Sequence, residues 1–311
     1  MSDVTRGLPE AALKRVEQQR LSGVSSSLFS APAAAAAKSA GLAPVGEVFG
    51  CLVMNLGWSG TGCNWYLPYQ ATSGIFNSAL NSVYGSQPTS PIITSGRGSK
   101  YSGFTPYVKA FEAAWNGALS RMLAEARALG AEGVVGIRIE RSLLQNQIWE
   151  FTAMGTAVRS TDVMLAPRPT TAGEVWSTNF STEDAASAIL SGFMPREVVL
   201  GMSVATKHED WQLRQQRTGW LNQEVVGMSQ LIQAARNEAR TRIEAHATHT
   251  GGAHLVINEM ELREFETECG QDGVDLHAEA TFIGTTLIPV PQFRGRPASS
   301  RVMTVIPLKD L

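Results

Sequence analysis

Two stripes of apolar residues set the pattern of this chain. Phe111, Trp115, Ala118, Met122, Ala126 and Leu129 recur at steps of three and four, with Glu112, Asn116, Ser120 and Arg127 opposite. That spacing predicts an amphipathic helix over 106–129, stopped by Gly130 as a left-handed residue. Met228, Ile232, Ala235, Ala239, Ile243 and His246 form the second stripe and predict a helix over 222–250, ahead of Gly251 and Gly252. After each helix the apolar period falls to two, which is the period of a half-buried strand. GVVGIRIE, a polar turn and IWEFTAMGTAV predict one hairpin; strands over 253–263 and 274–289 around a polar turn at 268–273 predict another.

The segments ahead of these helices also match. Residues 33–40 are alanine-rich and helix-forming, with Ser30 as N-cap, Gly41 as stop, a turn at Pro44 and a strand over 47–56. At an offset of 151, Phe29 falls on Phe180, Ser30 on Ser181, Gly41 on Gly192, Pro44 on Pro195, Val48 on Val199 and Gly50 on Gly201, with no gap. Farther on, Gly130-Ala131 is set on Gly252-Ala253 at an offset of 122, and Gly155-Thr156 on Gly284-Thr285 at 129. In this register Gly136 becomes Asn258. The second copy is then 29 residues shorter before its long helix and 7 longer in its hairpin, changes that surface loops absorb.

The run LGAEGVVG after a long amphipathic helix, followed by FTAMGTAV, resembles the YbjQ family of heavy-metal-binding-domain proteins. The later copy is degenerate, with GGAHLVIN and ATFIGTTL in the matching places. The resemblance implies an α+β fold of two dodecin-like βαββ units, each a long helix on a small antiparallel sheet, and assembly into pentameric rings. Five is odd, so two-unit chains cannot close a five-unit ring in one plane. The favoured expectation is five chains forming two stacked rings, one of first units and one of second units; an even ring is the alternative.

The expected organisation is an N-terminal arm at 1–24, a first unit at 25–160, a linker at 161–174, a degenerate second unit at 175–290 and a tail at 291–311. Leu13, Val16 and Leu21 give the arm some helical spacing, and 302–307 in the tail is apolar enough for an edge strand. The first unit carries an insert at 57–104, rich in Gly, Ser, Asn and Pro but holding Trp58, Trp65, Tyr66, Tyr69, Phe76, Tyr84, Tyr101 and Phe104. It reads equally as a contact surface for a ligand or protein partner and as a self-packed loop.

Composition narrows the function classes. A length of 311 residues with 43% apolar and 17% charged residues supports about two globular domains. A net charge of −2 argues against nucleic acid as a main partner. No apolar run reaches the ~20 residues of a membrane span, and the N-terminus has no leader pattern, so a cytoplasmic location is expected. Cys51, Cys63 and Cys269 are odd in number and form no C-x-x-C pair.

All five histidines fall in the second unit. His246 and His249 are three apart on one helix, and His254 and His277 lie on adjacent predicted strands, with Glu244 or Cys269 able to complete a set. They are the candidate ligands for a divalent transition metal, although H-E-x-x-H and paired C-x-x-C spacings are absent. The competing reading, favoured here, is that these are structural histidines and no cofactor is held. Gly130, Gly133 and Gly136 follow a helix and enter a strand, the reverse of a phosphate loop. The first unit has no histidine to serve as a base and the chain has no G-x-S-x-G elbow, so nucleophilic catalysis is not expected. Glu183-Asp184 and Glu209-Asp210 read as helix starts and solvated loops. The expected function is a non-enzymatic ring protein acting as scaffold or binding module, with metal binding as the alternative.

Overall fold

Each long helix crosses a sheet of three long antiparallel strands, and a short fourth strand is added at one edge. The computed structural model describes residues 8–22, 27–57, 90–96, 104–161, 174–220, 222–269 and 273–290. The first half holds α1 (Glu10–Ser22), α2 (Ala31–Ser39), β1 (Leu42–Asn55), β2 (Ile92–Thr94), α3 (Thr105–Ala128), β3 (Gly133–Gln145) and β4 (Ile148–Ser160). The second holds β5 (Trp176–Ser177), α4 (Thr182–Leu190), β6 (Phe193–His208), α5 (Trp211–Thr218), α6 (Val226–His249), β7 (His254–Cys269) and β8 (Gly273–Pro289). The sheets have the orders β1-β4-β3-β5 and β2-β6-β8-β7. The fold is α+β, with two βαββ units as the resemblance implied.

Local chemistry explains the boundaries. Ser30 and Ser181 accept from the amides of Ala33 and Asp184 and so cap α2 and α4. Asp210 caps α5 in the same way through Leu213 N at 2.9 Å, a short helix that no apolar stripe announced. β1 begins at Leu42 and runs through Pro44 rather than starting at 47. It is the outer strand, and a bulge between Pro44 and Gly46 lets the missing N–H fall where no ladder bond is needed. β6 carries the same bulge between Pro195 and Glu197.

The helices approach their sheets at glycine. A Cβ on Gly50 would lie 2.6 Å from Met122 N, and one on Gly201 would lie 2.6 Å from Ile243 N. Only the bare backbone lets each helix pass so close over its first strand. Gly130 (φ 74°) stops α3 and Gly251 (φ 70°) stops α6. The left-handed partner of Gly130 is therefore Gly251, one residue before the Gly252 expected from sequence. The strand pairs agree: Gly133 opposes Val158 and His254 opposes Leu287. In this register Gly136 corresponds to Ile257, not Asn258; only the glycine is left-handed, at φ 65°.

The halves are joined by more than chain connectivity. Backbone bonds from Trp176 N to Glu132 O, Thr178 N to Val134 O and Ile137 N to Thr178 O add β5 and its flank to the open edge of β3. The Trp176 indole fills the space where a side chain at Gly133 would stand. β2, from the insert, pairs with the edge of β6 from Ile92 opposite Lys207 to Thr94 opposite Ala205. The arm is partly a docked helix: Arg15 of α1 makes a two-pronged bond to buried Glu125 at 2.8 and 2.9 Å. The remaining insert aromatics, Cys63, most of the linker and the tail lie outside the described residues.

Candidate functional site at the junction of the two units

Where the units meet, charged groups are buried among aromatic rings. Glu279 on β8 is 1% exposed. It accepts a hydrogen bond from the Tyr107 hydroxyl at 2.7 Å, and Arg141 Nη2 stands 2.5 Å from its other oxygen in ionic contact. Tyr107 is on α3 and Arg141 on β3, so a carboxylate of one unit is held by two residues of the other. Burial, then the charge of Glu279, push the Tyr107 hydroxyl well above the usual phenol range. Burial works against the charge of Arg141, but Glu279 outweighs it and holds the guanidinium above its ordinary range. The guanidinium also lies 5.2 Å from the Phe111 ring centre and 5.5 Å from that of Trp149. Arg263 takes the opposite part, 5.5 Å from both Trp149 and Phe265.

Beside this cluster is a cavity of about 300 Å³ lined by Phe111, Trp115, Ile139, Arg141, Glu261 and Thr281. Trp115 Nε1 and Arg141 Nη1 are buried donors with no hydrogen-bond partner among the described residues. Two unsatisfied donors on one polar-edged cavity suit a molecule that offers acceptors, water included. Sequence reasoning missed this cluster: Tyr107, Arg141 and Glu279 are far apart in the chain, and no local spacing connects them.

The candidate metal ligands are not gathered. His277 is 2% exposed, and both ring nitrogens are engaged, Nδ1 with Thr206 at 2.9 Å and Nε2 with Thr267 at 2.8 Å. Phe104 and Phe265 pack on the ring, and burial pushes its pKa down to about 4. His254 is exposed on β7 against Phe193, opposite Leu287, whereas His277 opposes Phe265. Those positions are ten residues apart on β8, about 34 Å at ~3.4 Å per residue. His249 is exposed at the end of α6, and Glu244 pairs with Arg240 at 3.2 Å. The Cys269 side chain lies outside the described residues. Among the described residues, no group of three or more His, Cys, Asp or Glu is placed to hold a metal.

His246 has a clear structural part. Its Nδ1 donates to Leu200 O on β6 at 3.3 Å. In the first unit Glu125, at the matching helix position, accepts from Phe49 N on β1 at 2.6 Å. Both side chains clip the backbone edge of the first strand, one as acceptor and one as donor.

Residues 81–161 match a family described as "Putative heavy-metal-binding", YbjQ. The matched stretch is similar to that family and covers β2, α3, β3 and β4. Over 155 residues the chain is 33% identical to the encapsulin nanocompartment protein Rv1762c of Mycobacterium tuberculosis, covering 48% of this chain and 58% of that one. The chain thus spans a little under three fifths of the length of that relative. Among the described residues, no helix is long and apolar enough to cross a membrane.

Proposed function

We propose that this chain is a non-enzymatic, self-assembling cytoplasmic protein, built from two copies of one βαββ motif, that acts as a scaffold or binding module. The observation that carries this reading is the long edge of β7: β8 pairs with one side of it from His254 to Cys269, and among the described residues no strand pairs with the other. An edge of that length invites another chain. A relative named for a nanocompartment agrees with a role inside a larger protein assembly. The insert at 57–104 is the segment most suited to a protein partner. Matching N-caps, bulges, left-handed glycines and helix-crossing glycines support the tandem-copy reading.

Native mass spectrometry tests the proposal and reports retained metal in the same spectrum. The expected result is a closed species of several 33.4 kDa chains; five would give about 167 kDa. A lone chain at micromolar concentration overturns it. Stoichiometric transition metal retained by untagged protein would favour the histidine alternative instead.

A further inference from the structure

The junction between the two units inside one chain is a docking geometry already solved, and each unit also presents the half of it that the other unit uses. β6 shows this first. Val199 and Ala205 face α6, while Val198, Leu200, Met202 and Val204 belong to the same core as Phe111, Trp115 and Met122 of the first unit. The first unit supplies α3 and β3; the second receives them on the outer face of β6 and β8. Nothing in the described part of the chain does the same for the outer face of β1 and β4.

Corresponding positions follow from the registers: 151 residues separate β1 from β6, 121 separate α3 and β3 from α6 and β7, and 129 separate β4 from β8. On the receiving side, Val204 of β6 is 1% exposed but its counterpart Val53 of β1 is 52% exposed. His277 of β8 is covered by Phe104, and its counterpart Ile148 is 38% exposed. On the supplying side, Val135 of β3 is 1% exposed and its counterpart Val256 of β7 is 40% exposed. Ile139 packs into the junction, while its counterpart Met260 is 58% exposed. Large apolar side chains thus lie bare at the positions whose counterparts are buried by the in-chain junction.

We infer that the α6–β7 face of one chain docks on the outer face of β1 and β4 of a second copy of this chain, repeating the in-chain junction, so that first and second units alternate around a single ring. This deepens the proposed self-assembly and rests on it. The contact is heterologous, and it closes when the rotation per unit divides a full turn. Alternation removes the conflict between two-unit chains and an odd chain number: five chains make one ring of ten units. It replaces the expectation of two stacked rings of like units, because in the chain itself unlike units already meet side by side through β3 and β5. The new junction lacks the ionic centre of the old one. Arg141 and Glu279 correspond to Leu262 and Glu150, so the contact between chains keeps a carboxylate, bonded by the Cys51 thiol, but sets a leucine where the contact within the chain has its arginine.

The test uses the full chain with Cys51, Cys63 and Cys269 replaced by serine. One preparation carries Met260→Cys and a second, differently tagged, carries Thr152→Cys. Thr152 is the counterpart of Thr281, which lines the junction cavity together with Ile139. The two preparations are dissociated, mixed, reassembled and treated with a short flexible bis-maleimide. The expected product joins unlike tags, at least tenfold above either preparation treated alone. Met260→Asp should leave the circular dichroism unchanged and shift the native mass to one chain or a few. Products joining like tags, or a heavy assembly with no cross-linked product, overturn the alternation and leave self-assembly standing. A single-chain mass for the unmodified protein overturns both.

Discussion

The first strands of the two units have nearly the same surroundings on one face and opposite fates on the other. β1 and β6 share a bulge beside proline and a glycine beneath the crossing helix. Yet β6 is buried on both faces from Val198 to Lys207, while β1 leaves Glu47 and Val53 exposed. The difference comes from what each strand meets and not from the strands' own design. A sheet backed by one helix satisfies half of its apolar surface; the other half needs a neighbour, and among the described residues only the second unit's sheet finds it within the chain. Stability and exposed surface are therefore divided unevenly between two similar halves.

That asymmetry can be broken deliberately. The largest effect is expected at the buried carboxylate. Glu279→Ala leaves the Arg141 charge and the Tyr107 hydroxyl without their shared partner, and should cost about 3–5 kcal/mol in urea unfolding. Glu150→Ala, at the counterpart position, is half-buried beside Cys51 and should cost under about 1 kcal/mol. Equal losses would contradict the division into a covered and an uncovered sheet.

His277 gives the next effect, and only the second unit has a titrating group there, since its counterpart is Ile148. Its folded pKa of about 4 lies below the ordinary 6.5. The unfolded chain therefore takes up this proton first as pH falls, and stability drops between about pH 6.5 and pH 4. The loss should approach about 3 kcal/mol, and His277→Gln should flatten that part of the stability–pH curve measured by chemical denaturation.

Two pairs probe what the halves share. Gly50→Ala and Gly201→Ala each push a methyl toward helix backbone and should cost about 1–3 kcal/mol by thermal melts, similar within each other's error. Ser30→Ala and Ser181→Ala should cost about 1 kcal/mol each through lost capping bonds. Divergent values within either pair would show that the halves differ locally as well as in their neighbours.

Much of the fold was legible in the sequence because its determinants are local. The stripes on α3 and α6, the caps at Ser30 and Ser181, and the glycines at 50 and 201 each announce themselves within a few residues. Legibility failed where partners come from afar. β5 is two residues long and exists because the open edge of β3 accepts it. Registering Gly130 on Gly252 followed letter identity, whereas the helix stop depends on backbone handedness and selects Gly251. The histidines read as a group because two share a helix and two lie on adjacent strands, but the register sets His254 opposite Leu287, ten residues along β8 from His277. The ionic centre was invisible since Tyr107 and Glu279 are separated by 172 residues.

The seam at Gly133 and Trp176 has a consequence for how the molecule comes apart. A flat indole lies where the first unit has no side chain, and the main chain of the second unit extends the first unit's sheet. The halves are not beads on a string that could be swapped, shuffled or expressed alone. Cutting the linker would leave the seam in place, whereas a free second half would display a bare row of Val198, Leu200, Met202 and Val204 to water. Melting should accordingly be one cooperative event, with neither half outliving the other.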